Sequence, residues 1–137
     1  MNIKIYNTLS RSIEDFVPID EKEIRVYSCG PTVYHYAHIG NMRAYVFADL
    51  LQRTLKTKYD SVKHVINITD VGHLVGDGDE GQDKLEKGAA REGKNVWEVA
   101  KFYTDAFMRD LELLNIDADN FVFPRATDYI DSLIKII

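Results

Sequence analysis

The residue types best able to do chemistry are concentrated in one short segment, residues 29–41. It reads Cys29-Gly30-Pro31-Thr32-Val33-Tyr34-His35-Tyr36-Ala37-His38-Ile39-Gly40-Asn41. A glycine such as Gly40 lets a flat base or a sugar approach the backbone. A histidine such as His38 can donate a hydrogen bond to a phosphate oxygen and stabilise charge that develops there. The segment therefore indicates a site that handles a nucleoside triphosphate.

The elements around this segment would place it where open α/β sheets bind nucleotides. Residues 24–27 are β-prone, and Gly30-Pro31 ends that strand. A helix is predicted from about 38 to 57, and its apolar face is formed by Ala44, Phe47, Ala48, Leu51 and Leu55. Residues 62–68 read as the next strand, so the pattern predicts a βαβ unit with a parallel strand pair. The helix would direct its first N–H groups and positive dipole end at an anion bound there.

The rest of the chain extends this α/β pattern. An edge strand is predicted at 3–6, a polar loop at 7–15, a glycine- and aspartate-rich loop at 71–82 and a short helix at 83–92. Asn95 and Glu98 form a capping-box pattern that opens a helix over 96–114. Its buried stripe is predicted to be Val96, Val99, Ala100, Tyr103, Phe107 and Leu111. A last helix is expected from Thr127 as its N-cap, with apolar positions at Ile130, Leu133, Ile134 and Ile137.

The composition fits one globular domain. The chain has 137 residues, of which 45% are hydrophobic and 28% charged, and its net charge is −5. No run approaches the ~20 apolar residues of a membrane helix, and the first residues do not form a signal peptide. The lone cysteine cannot form an internal disulfide, which favours a cytoplasmic protein with no membrane partner. The negative charge argues against nonspecific nucleic-acid binding by this segment alone.

Several blocks resemble a known family. Cys-Gly-Pro-Thr-Val-Tyr followed by His-Ile-Gly-Asn resembles the amino-terminal active-site segment of the cysteinyl-tRNA synthetases, which are class I aminoacyl-tRNA synthetases. Similar blocks are Ile5-Tyr6-Asn7-Thr8, Asn67-Ile68-Thr69-Asp70, Leu114-Asn115-Ile116 and Pro124-Arg125-Ala126-Thr127. The general class I motif has a second histidine where this chain has Asn41, a familiar variant that still offers hydrogen-bond donors. The resemblance implies an α/β fold, the amino-terminal part of a Rossmann-like class I catalytic domain with an incomplete parallel sheet.

The same comparison predicts that the chain is a fragment. The second class I signature, Lys-Met-Ser-Lys-Ser, does not occur in this sequence. Family members are several times longer and carry a helical tRNA-binding region after the catalytic domain. The last residues, 129–137, form an apolar helical pattern without a cap, as in a helix cut in mid-course. Residues 1–137 are therefore expected to be the amino-terminal half of the nucleotide-binding catalytic domain, inactive by itself.

The resemblance also implies roles for individual residues. His38 and Asn41 would be catalytic and would bind the triphosphate of ATP, with Mg²⁺ shielding the phosphates, and Gly40 would pack against the nucleoside. Cys29 would be one ligand of a zinc ion that captures the thiol of the substrate cysteine, since soft thiolates suit zinc better than hydroxyls do. The alternative for Cys29 is a small buried hydrophobic residue.

Two further residues would form the amino-acid pocket. The resemblance places Gly30 and Thr69 beside the bound cysteine, where a threonine can hydrogen-bond either the ammonium or the carboxylate group. The alternatives are a turn glycine and a strand-ending cap. His35 is expected to be an exposed loop residue without a substrate contact. A metal site formed by the histidines, or a calcium loop formed by the acidic residues of 77–83, is disfavoured because the ligand spacing is incomplete.

The predicted function is ATP-dependent activation of cysteine and its transfer to tRNA(Cys), which would bind through mostly absent regions. Two alternatives remain open at this point. One is a cysteine ligase that passes the activated cysteine to an amino-sugar, as in mycothiol synthesis. The other is a truncated, non-catalytic binding protein.

Overall fold

The computed structural model of the chain describes residues 2–71, 93 and 95–137. Its strands are β1 (Lys4–Asn7), β2 (Ser12–Asp15), β3 (Ile24–Ser28), β4 (Val62–Ile66) and β5 (Phe121–Val122). Its helices are α1 (Ile39–Lys56), α2 (Val96–Leu113) and α3 (Ile130–Ile134), with 3₁₀ turns at Ala118–Asn120 and Ala126–Tyr129. The loop predicted at 71–82, except Val71, the helix predicted at 83–92 and the acidic residues of 77–83 lie outside the described residues.

A parallel sheet forms the centre of the fold. Its strand order is β3-β4-β5, and both strand pairs are parallel. Ile24 aligns with Val62 and Ser28 with Ile66, so β3, α1 and β4 form the predicted βαβ unit. The pairing continues past the strand ends through isolated bridges between Thr32 and Thr69 and between Ile68 and Arg125. The α/β class and the incomplete parallel sheet predicted from the sequence are therefore confirmed.

Helix α1 has the predicted length, but its buried face was predicted only in part: Ala48 and Leu55 are buried and Leu51 is half-buried. Of the expected apolar face, Phe47 is 65% exposed, and Ala44 is exposed as well. The residues that are buried are Met42, Tyr45, Ala48, Asp49, Gln52 and Leu55. Two polar side chains lie on the buried face: Gln52 Nε2 donates to the carbonyl of Asn120 at 2.8 Å, and Asp49 accepts from Arg53, one turn on in the same helix, at 2.7 Å.

Helix α2 follows its prediction closely. The Asn95 side chain accepts from the Glu98 N–H at 2.9 Å, and Glu98 accepts from the Asn95 N–H at 3.1 Å, so the capping box is present. The predicted stripe is buried, apart from a half-buried Val96. Packing of α2 and α1 against β4 forms the largest buried cluster, which contains Met42, Tyr45, Ala48, Ile66, Phe107, Leu111, Ile116 and Phe121.

The two ends of the chain differ from the predictions. Residues 7–15 do not form only a polar loop, because β2 pairs antiparallel with β1, from Lys4 opposite Asp15 to Asn7 opposite Ser12. All four residues of β2 are exposed, so backbone pairing builds this strand without any apolar alternation. At the other end Thr127 is not an N-cap. It lies inside the 3₁₀ turn, and α3 begins at Ile130 without a side-chain cap.

Candidate active site

Two clefts lie beside the start of α1, at the carboxyl ends of β3 and β4. The first, here called the histidine cleft, has a volume of about 470 Å³; its lining includes Gly30, His38, Asn41, Tyr45 and Tyr103. The second, the cysteine cleft, has a volume of about 460 Å³ and is lined by Ser28, Cys29, Gly40, Arg43, Ala44, Tyr45 and Phe47. The structure thus brings Gly30, His38 and Asn41 together in one cleft, and Cys29 and Gly40 in the other. Tyr45 contributes to both.

His38 is the N-cap of α1. Its Nδ1 accepts a hydrogen bond from the Gly40 N–H at 3.0 Å, and Asn41 Oδ1 accepts one from the His38 N–H at 3.1 Å. Because Nδ1 acts as an acceptor, the ring proton of a neutral His38 lies on Nε2. Sequence reasoning missed this capping role, since histidine is not among the usual N-cap residues. The cap fixes the ring at the helix N-terminus and leaves Nε2–H as the donor that a ligand would meet.

Gly40 is required by the ring of His38. A Cβ at this position would lie 2.8 Å from His38 Cε1 and 3.0 Å from its Nδ1. These distances are shorter than van der Waals contact, so any other residue would displace the ring. The glycine therefore maintains the histidine cap, whether or not a nucleoside packs against it.

Gly30 allows the loop after β3 to cross the end of β4. A Cβ there would lie 1.5 Å from the backbone carbonyl oxygen of Asn67, which leaves no room for a side chain. The Gly30 N–H also donates to Asn67 Oδ1 at 2.9 Å. The sequence singled out Asn67 only as part of the block Asn67-Ile68-Thr69-Asp70, and its contacts could not be predicted from the sequence.

Thr69 holds the same loop from the other side. Its N–H donates to the Pro31 carbonyl at 2.9 Å, and its carbonyl accepts from the Val33 N–H at 3.1 Å. Its side-chain oxygen accepts from Asn67 Nδ2 at 3.2 Å. Thr69 is half-buried and lies within one hydrogen-bonded network with Gly30, but it is not among the residues that line either cleft.

Asp70 turns away from the clefts and anchors the chain near its end. It is only 3% exposed, and its carboxylate accepts from the Thr127 hydroxyl at 2.5 Å, the Thr127 N–H at 3.2 Å and the Val71 N–H at 3.1 Å. These bonds explain why Thr127 does not cap a helix: its hydroxyl is used to satisfy a buried carboxylate.

Cys29 is free and exposed, so the alternative of a buried hydrophobic residue does not apply. Burial raises the pKa of the neighbouring Tyr45 to about 12, and the charge that Cys29 would carry as a thiolate contributes to that rise. Tyr45 therefore keeps its hydroxyl proton at neutral pH. Within residues 2–71, 93 and 95–137 there is no group of three or more histidine, cysteine or acidic side chains that could hold a metal ion. Cys29 alone does not make a zinc site in this part of the chain.

The other histidines have distinct surroundings. His35 is exposed, and its ring stacks on Tyr103 with a centroid distance of 5.8 Å. His64, which sequence reasoning did not single out, is 0% exposed in the central strand. Its Nε2 lies 2.8 Å from Ser28 Oγ, and its Nδ1 has no hydrogen-bond partner among the described residues. Burial lowers the pKa of His64, so the ring is neutral at neutral pH.

Comparison with known proteins identifies one family. The family model described as tRNA synthetases class I (C) catalytic domain matches residues 15–137. The chain is 53% identical over 132 residues to the cysteine–tRNA ligase of Zymomonas mobilis subsp. mobilis, which covers 96% of this chain and 25% of that protein. It is 52% identical over 137 residues to the cysteine–tRNA ligase of Treponema denticola, covering 100% of this chain and 28% of that protein.

A third relative, cysteine–tRNA ligase 1 of Burkholderia lata, is 50% identical over 137 residues, which are 100% of this chain and 29% of that protein. The chain therefore spans about a quarter of the length of these curated relatives. In the part of the chain that the structure describes, no helix combines the length and apolar character needed to cross a membrane.

Proposed function

This chain belongs to the family of class I tRNA synthetase catalytic domains of the cysteine type, and from this premise we propose that it is part of a cysteine–tRNA ligase. Such an enzyme would join cysteine to ATP, giving cysteinyl-adenylate and pyrophosphate, and would then pass the cysteinyl group to the terminal ribose of tRNA(Cys). Because the chain spans about a quarter of its relatives, these activities belong to the longer protein. Residues 1–137 would be the amino-terminal half of its catalytic domain, working in the cytoplasm.

The observation that supports this proposal most is the arrangement of the histidine cleft. Gly30, His38 and Asn41 line one cleft at the carboxyl ends of parallel strands and at the N-terminus of α1. The start of α1 supplies the positive end of the helix dipole, which attracts phosphate, while the Gly40 and Asn41 N–H groups already donate to His38. His38 Nε2–H and the Asn41 side-chain amide would add two donors to that anion site.

In the activation step the carboxylate of cysteine would attack the α-phosphorus of ATP as the bond to the pyrophosphate oxygen breaks. Neither reactant needs a nucleophile from the protein, so catalysis would consist of positioning and charge stabilisation. His38 would act on the developing negative charge through Nε2–H, held in place by its bond to Gly40. Mg²⁺ would accompany ATP as part of the substrate. Arg43, which lines the cysteine cleft beside Cys29, provides further positive charge near the same helix start.

Cysteine selection is the proposed role of the second cleft. An exposed thiol at Cys29 is suited to be one ligand of a zinc ion, but the other ligands would have to come from outside the described residues. Gly30, at the edge of the neighbouring histidine cleft, and Thr69, which is hydrogen-bonded to the same loop, would contact the amino-acid part of the substrate. The tRNA would bind mostly through other regions, because this chain carries a net charge of −5.

The test is cysteine-dependent exchange of pyrophosphate into ATP by the full-length protein, together with charging of tRNA(Cys). We expect exchange with cysteine and no exchange with serine, and transfer of cysteine to tRNA but not to an amino-sugar acceptor. Zinc analysis of the same preparation checks the metal. Residues 1–137 alone should show no exchange, since they lack the Lys-Met-Ser-Lys-Ser loop. Absence of cysteine-dependent exchange by the full-length protein, or transfer to the amino-sugar instead, would refute the proposal.

A further inference from the structure

Asn67 connects the two residues assigned to the amino-acid pocket. It follows β4 directly, and its side chain makes three hydrogen bonds, two to the end of β3 and the loop after it and one to Thr69 in its own segment. Its Oδ1 accepts from the Tyr27 hydroxyl at 2.8 Å and from the Gly30 N–H at 2.9 Å, while its Nδ2 donates to Thr69 Oγ1 at 3.2 Å. We propose that Asn67 is a positioning residue for the amino-acid substrate, acting through Gly30 and Thr69; this inference rests on the proposed function.

The orientation of the amide follows from the chemistry of its partners. The backbone N–H of Gly30 can only donate, so the amide atom that it meets must be the oxygen. The other amide atom is then the nitrogen, which can only donate, and Thr69 Oγ1 must accept from it. The threonine hydroxyl proton is therefore not used by Asn67 and remains available to an acceptor on a ligand, such as a carboxylate.

The same side chain fixes the corner between β3 and the segment of residues 29–41. Gly30 approaches the Asn67 backbone so closely that no Cβ fits between them, and the Oδ1 bond holds that approach from the side. Tyr27 is exposed, yet its hydroxyl uses the second lone pair of Oδ1. With both lone pairs occupied, the amide has one orientation, and rotation about its last bond would break all three contacts.

Substitution with aspartate separates positioning from simple structural support. Asn67→Asp keeps an acceptor for Tyr27 and for Gly30, so the corner should be retained. It replaces the donor that faces Thr69 with a second acceptor, and the Thr69 hydroxyl would then turn its proton toward residue 67 and away from a ligand. If Asn67 only supported the fold, this variant would leave substrate binding unchanged.

The experiment measures KM for cysteine and for ATP in pyrophosphate exchange by the full-length protein. We expect Asn67→Asp to raise KM for cysteine about tenfold, the ratio given by one lost hydrogen bond of ordinary strength, and to leave KM for ATP within about twofold. Tyr27→Phe, at an exposed position that tolerates the change, should raise KM for cysteine to a smaller extent. Asn120→Ala, an asparagine in the turn before β5, is the matched control and should change neither constant.

These measurements distinguish a failure of the proposed function from a failure of the positioning role of Asn67. If the unchanged protein shows no cysteine-dependent exchange, the proposed function fails. If that protein is active but Asn67→Asp alters both constants equally, or neither, the positioning role of Asn67 is refuted. If Asn67→Asp does not fold, Tyr27→Phe decides: a rise in KM for cysteine alone supports the role, and unchanged constants refute it.

Discussion

His38 uses its two ring nitrogens for different tasks. Nδ1 accepts from the Gly40 N–H in the first turn of α1 and thereby caps the helix, while Nε2 keeps the proton and can donate to a ligand. Gly40 is needed for this cap, because a Cβ at that position would collide with the His38 ring. A residue that caps a helix and contacts a ligand cannot be tested by alanine alone, since alanine would remove both functions.

An asparagine at position 38 would separate the capping role of His38 from its contact with a ligand. Asparagine is a strong N-cap, so His38→Asn should retain the start of α1. The asparagine side chain is shorter, so its N–H donor would not reach as far into the histidine cleft as Nε2–H of histidine does. We expect the full-length protein to lose about 2–4 kcal/mol of transition-state stabilisation in pyrophosphate exchange, measured as kcat/KM for ATP, with little change in KM for cysteine. His35→Ala is the comparison, because that ring also lines the histidine cleft but stacks on the buried Tyr103 and does not cap α1. A larger effect of His35→Ala than of His38→Asn would show that the sequence block was aligned wrongly.

For helices and strands, sequence patterns predicted the features that depend on neighbouring residues. They did not predict the features that depend on contacts between residues far apart in the sequence. The capping box at Asn95 and Glu98 uses residues three apart, and α2 begins there as predicted. The orientation of α1 could not be found this way, because the inward turn of Gln52 depends on a carbonyl of Asn120, which is 68 residues away in sequence. Strand β2 escaped prediction for a similar reason, since it is held by pairing with β1 and has no buried side chain.

In the candidate site, too, single residues could be predicted from the sequence, whereas the contacts between distant residues could not. The family resemblance singled out Cys29, Gly30, His38, Gly40, Asn41 and Thr69. The structure places all of them except Thr69 in the two clefts beside the start of α1. Asn67 was not recognised as a connecting residue, although it belongs to the same sequence block as Thr69. Its contacts with Tyr27 and Gly30 span 40 and 37 residues of sequence, so only the folded chain brings them together.

The contact between Asp70 and Thr127 joins the end of β4 to the 3₁₀ turn before α3. Thr127→Val keeps the shape of the side chain but removes the hydroxyl that donates to Asp70 Oδ2, while Asp70 Oδ1 keeps its bonds from the Thr127 and Val71 N–H groups. We expect the free energy of unfolding of the full-length protein to fall by about 1–3 kcal/mol, the usual cost for a lost hydrogen bond to a buried charged group. Thr127→Ser keeps the hydroxyl and should cost clearly less. Denaturant unfolding measures both, and equal losses would show that the hydroxyl contributes nothing.

In the part of the chain that the structure describes, the helices that pack on the parallel sheet cover one of its faces. Helices α1 and α2 both pack on the face that carries Ile66, whereas Tyr27 on the opposite face is 68% exposed. The covered face also contains His64, which lies between the Phe121 ring and the Ser28 hydroxyl.

His64 should make the stability of the molecule depend on pH. Burial lowers the pKa of His64 in the folded state below its ordinary value near 6.5, so the unfolded chain binds a proton more readily than the folded chain does. The sign follows directly: above about pH 6.5 the ring is neutral in both states and has no effect. As the pH falls below that value, protonation favours the unfolded state, and stability is lost until the lower folded pKa is reached.

The variant His64→Gln tests this origin, because glutamine does not titrate and can still reach the Ser28 hydroxyl. We expect the unfolding free energy of the full-length protein, measured in denaturant at a series of pH values, to decline less steeply below about pH 6.5 in the variant than in the unchanged protein. The variant should also be less stable at pH 7, since the ring packs on Phe121 and glutamine does not replace that contact. Parallel pH profiles for the two proteins would mean that other groups cause the decline, and that His64 gains its proton equally in the folded and unfolded states.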